Sequence, residues 1–214
     1  MEPTREERIA YNLYEGSLIQ ADLEKIGIYV NHYGQDLLKS RDDWLRSIPV
    51  VKEWVFKAKS TDVFETLIRL LGIPPLRKTS TAKEIINLYY RPDLNDSNRW
   101  AIGNTMAVIA NDEVLEDIIK IVDDEKNGQS REMFVVSLSN MKDPKVVPYL
   151  VKLLDHPELA GHALVALNKL KAVETIEAVR RLENHPRTWI RNEAKKTVRK
   201  FEKILERQAM KKGK

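Results

Sequence analysis

The chain has 214 residues, of which 43% are hydrophobic and 32% are charged, as is typical of a helical protein with solvated outer faces. It contains no cysteine, which excludes disulfides, thiolate catalysis and cysteine-based zinc sites. No run of 18 apolar residues occurs, and the N-terminus is charged, so we expect a cytoplasmic protein with no membrane contact. No run of alternating β-branched residues occurs either, which favours an all-α fold.

The first helix signal stands at the N-terminus. Thr4 followed by Glu7 fits a capping box and predicts a helix over residues 5–15. Gly16 then invites a break, and Ser17 offers a second helix start. We therefore expect two short helices in this stretch.

Three further signals divide the rest of the N-terminal part. Ser47 with Pro49 is typical of a helix start. Residues 60–62, Ser-Thr-Asp, predict a helix N-terminus, and the Gly-Ile-Pro-Pro run at 72–75 predicts its end. Thr81 opens the next predicted helix.

The stretch 131–158 organises the rest of the chain. Its apolar segments 133–141 and 146–154 are separated by Lys-Asp-Pro at 142–144, which predicts two short helices joined by a tight turn. Such a pair cannot bury both of its apolar faces alone and needs copies beside it.

Copies of that unit lie on both sides of it. Residues 98–123 superpose on 130–155 with a shift of 32 and no gap, and a shift of 29 places Met141 on Leu170. A last half-unit begins at Thr188 as a long basic helix that we expect to end near Arg207. A period of about 30 residues in helical pairs is the signature of a solenoid.

Two stretches carry a resemblance to a known family, and they read NRWAIGNTMAVIANDEVLEDIIKIVDD and LVALNKLKAVETIEAVRRLENHPRTWIRNEAKKTVRKF. Both look like HEAT repeats of the bacterial, lyase-type kind. The resemblance implies a right-handed α–α superhelix, similar to HEAT and ARM solenoids, of about five helical hairpins plus a terminal helix. It implies first helices on the outside and second helices along a concave surface. Ala160 departs from the pattern, which expects arginine there.

The predicted domain organisation follows from the extent of this resemblance. We expect one α-solenoid domain over residues 1–214. Within it, 1–97 form divergent repeats, 98–207 form clear HEAT-like repeats, and 208–214 form a disordered basic tail.

Arginines recur at the starts of equivalent first helices, and aspartates lie in or beside the turns. In HEAT proteins such residues form a hydrogen-bonded ladder between repeats, so the resemblance implies a structural role, with phosphate capture as the alternative. The predicted ladder residues are Arg99, Arg131, Arg191, Asp112 and Asp143.

No sequence motif for nucleotide, metal or nucleophilic chemistry occurs. His156 and His185 occupy equivalent positions before proline, which favours a recurrent turn structure over a metal pair. We therefore expect a non-enzymatic protein without a cofactor or a metal.

A row of equivalent positions on the second helices is the main candidate site. Lys120, Lys152 and Arg181 share one position, and Tyr149 lies beside it. Repeated cations with an adjacent aromatic suit an acidic peptide. We expect these four residues to bind a partner protein on the concave surface, so that the chain acts as a scaffold. The identity of the partner and the oligomeric state stay open at this point.

The alternative is nucleic-acid binding by the basic C-terminal helix. Residues 180–214 contain 13 Lys and Arg against 4 Asp and Glu, although a well-solvated terminal helix would have the same composition. Some DNA glycosylases have a HEAT-like fold and a cleft lined by Trp, Asp and Arg, but their catalytic pattern does not map onto this sequence. The candidate residues for this alternative are Arg187, Trp189, Lys195, Lys196, Arg199 and Lys200.

Overall fold

The structure, a computed structural model, describes residues 4–212. That part of the chain contains twelve α-helices, further short 3-10 turns and no strand, which confirms the predicted all-α class. The helices are α1 (Arg5–Glu24), α2 (Tyr33–Asp36), α3 (Arg41–Lys57), α4 (Thr61–Leu70), α5 (Thr81–Ile86), α6 (Asp96–Ile109), α7 (Leu115–Asp123), α8 (Glu132–Ser137), α9 (Val146–Leu153), α10 (Ala160–Leu170), α11 (Ile176–Arg180) and α12 (Thr188–Lys212).

Helix α1 begins as predicted and continues farther than predicted. The Thr4 hydroxyl accepts a hydrogen bond from the Glu7 N–H at 3.2 Å, and the Glu7 carboxylate accepts one from the Thr4 N–H at 2.7 Å. The predicted break at Gly16 is wrong. Gly16 lies on the buried face of α1, together with Ile19 and Leu23, so packing of that face outweighs the low helix propensity of glycine.

Helix α3 contains the second wrong boundary. We predicted a helix start at Ser47 with Pro49, but α3 begins after Ser40, whose hydroxyl accepts from the Asp43 N–H at 3.3 Å. Pro49 lies inside the helix. Its ring removes one backbone hydrogen bond, and the buried neighbours Ile48 and Val51 hold the helix together by packing.

The predicted boundaries of α4 and the predicted start of α5 agree with the structure. Ser60 caps α4, accepting from the Val63 N–H at 3.2 Å, and the helix stops at Leu70 before the prolines. Helix α5 begins at Thr81.

The repeated part forms two rows of helices. We call α4, α6, α8, α10 and α12 the first helices, and each packs against the next. We call α3, α5, α7, α9 and α11 the second helices, and each packs against the first helix that follows it in sequence. Helix α10 buries the small residues Ala160, Gly161 and Ala163, and Gly161 faces Trp189 of α12.

Helix α12 is longer than we expected. It begins at Thr188 as predicted but continues past Arg207 to Lys212, so residues 208–212 are helical where we predicted a disordered tail. Residues 213–214 of that predicted tail lie outside the described residues.

One contiguous apolar core extends from Ile19 in α1 to Phe201 in α12. Phe64, Tyr89 and Phe134 are its largest fully buried side chains, and the rings of Tyr89 and Phe134 meet edge to face at 5.2 Å. Within residues 4–212, every helix is either too short or too polar to cross a bilayer.

Candidate interaction surfaces

Arg131 is a buried structural residue. Its side chain is 4% exposed and donates to the backbone carbonyls of Val122 and Gly128, each at 3.1 Å. Its remaining nitrogen donates to the Glu158 carboxylate at 3.0 Å. The guanidinium therefore binds the carbonyl end of α7, where a cation is favoured by the helix dipole.

Arg99 and Arg191 make the same kind of contact at equivalent positions. Arg99 donates to the carbonyl of Tyr89, at the end of the 3-10 turn that follows α5, at 3.3 Å. Arg191 donates to the carbonyl of His185, just after the turn that follows α11, at 2.9 Å. We call Arg99, Arg131 and Arg191 the clamp arginines, since each holds the end of the preceding second helix.

The predicted aspartates bind backbone N–H groups instead of these arginines. The Asp112 carboxylate accepts from the N–H groups of Lys142 at 2.8 Å and Asp143 at 3.1 Å, which links two successive turns. The Asp143 carboxylate accepts locally, from the N–H of Lys145 at 2.8 Å. The predicted hydrogen bonds between these arginines and aspartates therefore do not form. The arginines bind backbone carbonyls, and the aspartates bind backbone N–H groups.

The two equivalent histidines lie in turns, as predicted, and each binds backbone N–H groups of its own turn. His156 Nδ1 accepts from the N–H groups of Glu158 and Leu159, both at 3.2 Å, and His185 Nδ1 accepts from Arg187 N–H at 3.1 Å. His156 thus closes the turn before α10, where Ala160 replaces a clamp arginine.

Consecutive second helices are joined by polar contacts along one edge, which we call the second-helix surface. Their nitrogen-to-oxygen distances run from 2.6 to 3.5 Å. The ion pairs are Lys52–Glu84, Lys83–Asp117, Lys145–Glu116 and Arg181–Asp155. These contacts occupy the carboxylates of Glu84, Asp117, Glu116 and Asp155.

The four predicted binding residues lie on this surface, and two of them already bind other side chains of the chain. The Tyr149 hydroxyl donates to the Asp123 carboxylate at 2.8 Å, and burial together with this bond raises the pKa of Tyr149 well above its usual value. Arg181 is held by Asp155. Lys120 and Lys152 are exposed, and within residues 4–212 neither forms an ion pair.

Two exposed aromatics on this side of the molecule were missed in the sequence. Lys120 Nζ lies 5.6 Å from the ring centre of Tyr90, which is 51% exposed. Phe56 on α3 is 50% exposed. Both residues precede residue 98, where the clear repeats begin. The repeat alignment therefore could not group them with Lys120, Lys152 and Arg181.

An apolar groove of about 720 Å³ lies between the start of α3 and the turn after α4. Its apolar lining consists of Leu38, Trp44, Leu45, Ile73, Pro74 and Pro75. Arg41 and Lys78 line it as well and are its charged groups. The sequence predicted helix ends in this region. It gave no sign that apolar side chains from two of these ends would line one groove.

A second groove, of about 440 Å³, is basic and lies along α12. It is lined by Lys171, Lys196, Arg199, Lys200, Lys203, Ile204 and Arg207. We call it the basic groove. The groove brings together three of the six residues predicted for nucleic-acid binding, namely Lys196, Arg199 and Lys200. It adds the cations Lys171, Lys203 and Arg207.

The remaining three predicted residues lie outside the basic groove. Lys195 and Arg187 are exposed on other parts of α12 and the turn before it. Trp189 is 45% exposed and packs its ring on α10, where a Cβ on Gly161 would lie 1.8 Å from the Trp189 ring. The His162 and Trp189 ring centres are 5.7 Å apart.

His162 and Glu132 are the one half-buried acid–base pair that resembles a catalytic arrangement in the described part of the chain. His162 Nε2 lies 3.6 Å from the Glu132 carboxylate, and no acceptor or donor reaches His162 Nδ1. Burial lowers the pKa of His162 and, with the nearby Glu158, raises the pKa of Glu132. Both pKa shifts favour the uncharged forms, and burial together with the negative charge of Glu158 accounts for them without a catalytic role.

Comparison with protein-family models, with curated proteins and with solved structures finds no match for this chain. Among residues 4–212, no three histidine, aspartate or glutamate side chains come together as metal ligands would. The arguments for function therefore rest on the surfaces described above.

Proposed function

We propose that this chain is a non-enzymatic scaffold of the HEAT-repeat type that binds another protein through its second-helix surface. In this proposal the two rows of helices wind as a right-handed α–α superhelix of about five hairpins plus α12. The support for this arrangement is the packing order, in which first helices stack on first helices and polar contacts join the second helices.

One observation carries the proposed binding site. On the second-helix surface the carboxylates of Glu84, Asp117, Glu116 and Asp155 are paired within the chain, whereas Lys120 and Lys152 form no ion pair within residues 4–212, and Lys120 lies beside the exposed ring of Tyr90. Tyr90 supplies an apolar ring with a polar tip next to Lys120. Aromatic and cationic groups together are the usual anchors of a protein interface.

The same charges define the chemistry of the partner. A segment that carries Asp or Glu beside bulky apolar side chains would pair with Lys120 and Lys152 and cover Tyr90. The apolar groove beside α3 has the matching character, since its walls are apolar and its charged groups are the cations Arg41 and Lys78. We therefore assign the partner as an acidic protein segment with large apolar residues.

Selection of random 12-residue peptides displayed on phage tests this assignment. Peptides enriched on the wild-type chain are expected to combine Asp or Glu with Leu, Phe or Trp. They are then measured against a triple variant, Lys120→Glu, Lys152→Glu and Arg181→Glu. Three reversed rim charges at roughly 0.5 kcal/mol each predict about a tenfold loss of affinity.

A second triple variant provides the matched control. Lys126→Glu, Lys142→Glu and Lys169→Glu change the net charge equally at exposed lysines away from the second-helix surface. The selected peptides should bind this control as they bind the wild type, and far-ultraviolet circular dichroism should be the same for all three proteins. Equal loss in both variants, or enrichment of peptides without acidic residues, would refute the assignment.

A further inference from the structure

The basic groove holds a concentrated excess of positive charge. Six of its seven lining residues are cationic, and among them Lys196 has an acidic neighbour, Glu193, at 3.4 Å. Lys171, Arg199, Lys203 and Arg207 form no ion pair within residues 4–212. Like charges held this close repel one another, so an anion bound between them would relieve the repulsion.

The groove is built by two helices rather than by a loose surface run of lysines. Lys200 Nζ donates to the backbone carbonyl of Asn168 at 2.9 Å and also to its side-chain oxygen, which fixes α12 against the end of α10. Asn168 is buried and is itself held by a hydrogen bond to Glu193 at 2.9 Å. Lys171 follows at the end of α10 in a left-handed conformation, with φ of 56°, and lines the groove from that position.

Of the three glutamates of α12, Glu206 is exposed and does not line the groove, and the other two are bound to other side chains. Glu202 pairs with Arg180 of α11 at 3.1 Å, on the side away from the groove lining. Glu193 is shared between Asn168 and Lys196. The groove therefore keeps an uncompensated positive charge although α12 contains several glutamates.

The spacing of these cations matches an extended polyanion. The lining residues of α12 from Lys196 to Arg207 lie on one face and extend over about 16 Å at 1.5 Å per residue. A nucleic-acid strand at roughly 3.4 Å per phosphate places about five charges along that length. Four cations, Lys171, Arg199, Lys203 and Arg207, are free to meet these phosphates, since Lys200 is bound to Asn168 and Lys196 lies beside Glu193.

We propose that the basic groove binds the phosphodiester backbone of a single-stranded nucleic acid. Trp189 lies two helical turns before Lys196 on the same face of α12 and is 45% exposed, which offers an unpaired base a ring to stack on. Duplex bases are already stacked on each other and gain nothing from that ring. This activity is separate from the proposed protein binding, because it uses α12 and not the second-helix surface.

Fluorescence anisotropy with fluorescein-labelled oligonucleotides tests the proposal on the full chain. The probes are 12-nucleotide oligothymidylate, 12-nucleotide oligouridylate and a 12-base-pair duplex. With about four phosphates neutralised, affinity for the single strands should fall about 50-fold between 50 and 200 mM salt. Equal binding of the two single strands is expected, since the groove reads the backbone, and both should bind more tightly than the duplex.

A double variant and its control locate the site. Arg199→Glu with Lys203→Glu should weaken single-strand binding by about tenfold or more and lower the salt slope by roughly one or two units. Lys126→Glu with Lys142→Glu changes the net charge equally at lysines outside the groove, and its affinity should stay within about twofold of the wild type. The second-helix triple variant should also retain oligonucleotide binding.

Several results would overturn the proposal. These are no anisotropy change at 50 mM salt, equal losses in the groove variant and its control, or tighter binding of the duplex. A fluorescein-labelled 12-residue polyglutamate that binds as tightly as the single strands, and is weakened by the same variant, would assign the groove to an acidic peptide instead.

Discussion

Replacement of Arg131 by methionine should destabilise the chain far more than the same change at Arg99. The two residues occupy equivalent repeat positions, so the substitutions are matched in chemistry and in place. Arg131 is nearly fully buried and holds two carbonyls at 3.1 Å, whereas the Arg99 side chain is 26% exposed and its carbonyl contacts measure 3.3 and 3.4 Å. Methionine keeps the apolar stem of either arginine and removes its donors.

The magnitude follows from the contacts that are lost. Each charged hydrogen bond to a buried carbonyl of Val122 or Gly128 contributes about 1.5–3 kcal/mol. Glu158 is 48% exposed and can return to water, so the loss of that ion pair adds at most about 1 kcal/mol. We expect Arg131→Met to cost about 3–5 kcal/mol, and Arg99→Met about 1 kcal/mol because water can replace its donors.

Urea unfolding measures both variants. The transition is followed by circular dichroism at 222 nm and by tryptophan fluorescence, and agreement between the two probes supports a two-state analysis. Arg131→Met should also lower the melting temperature by about 10 °C at roughly 2–4 °C per kcal/mol for a chain of this size. If the two variants lose equal stability, the buried carbonyl contacts of Arg131 do not hold α7 as argued.

Three further changes test other contacts. The buried Glu15 carboxylate accepts hydrogen bonds from the N–H groups of Lys59 at 2.9 Å and Ser60 at 3.0 Å. Glu15→Ala should therefore lower the free energy of unfolding, measured in urea, by about 2–3 kcal/mol. Glu15→Gln should lower it less, because one amide oxygen remains as an acceptor. Gly161→Ala should displace the Trp189 ring, shift the tryptophan emission and cost about 1–3 kcal/mol, and combination with Trp189→Leu should recover part of that loss. Burial lowers the pKa of His162 below its unfolded value near 6.5, so the unfolded state binds more protons and stability should fall as pH drops below about 6.5. His162→Gln should remove that slope, and an unchanged slope between pH 7.5 and 5.5 would contradict the assignment to His162.

The sequence predicts the helical class and most boundaries because short-range signals determine them. The capping box at Thr4 and the Pro-Pro stop after α4 act within a few residues, and the structure agrees with both. The wrong boundaries, at Gly16 and Pro49, arise where burial of a helix face outweighs local propensity. That balance depends on neighbours from other helices, which a local pattern cannot reveal.

The candidate sites were predicted less completely than the fold for the same reason. Repeat alignment placed Lys120, Lys152 and Arg181 on equivalent positions, but not the carboxylates of other helices that hold Arg181 and its neighbours. Lys171 joins the basic groove from the end of α10, distant in sequence from α12. Contacts between rows of helices depend on how the helices pack in three dimensions. The residue pattern of a single helix therefore does not predict them.

The clamp arginines have a consequence for where this chain can be divided. Each lies at the start of one first helix yet binds carbonyls at the end of the preceding second helix or in the turn after it, so a fragment that stops at the end of α7 leaves the Val122 carbonyl without its donor. A repeat unit that is transferred into another repeat protein should therefore include the clamp arginine of the first helix that follows it. The junction before α10 is the exception, since Ala160 stands there and His156 closes the turn within its own segment. That junction is the natural position at which to exchange or insert repeats.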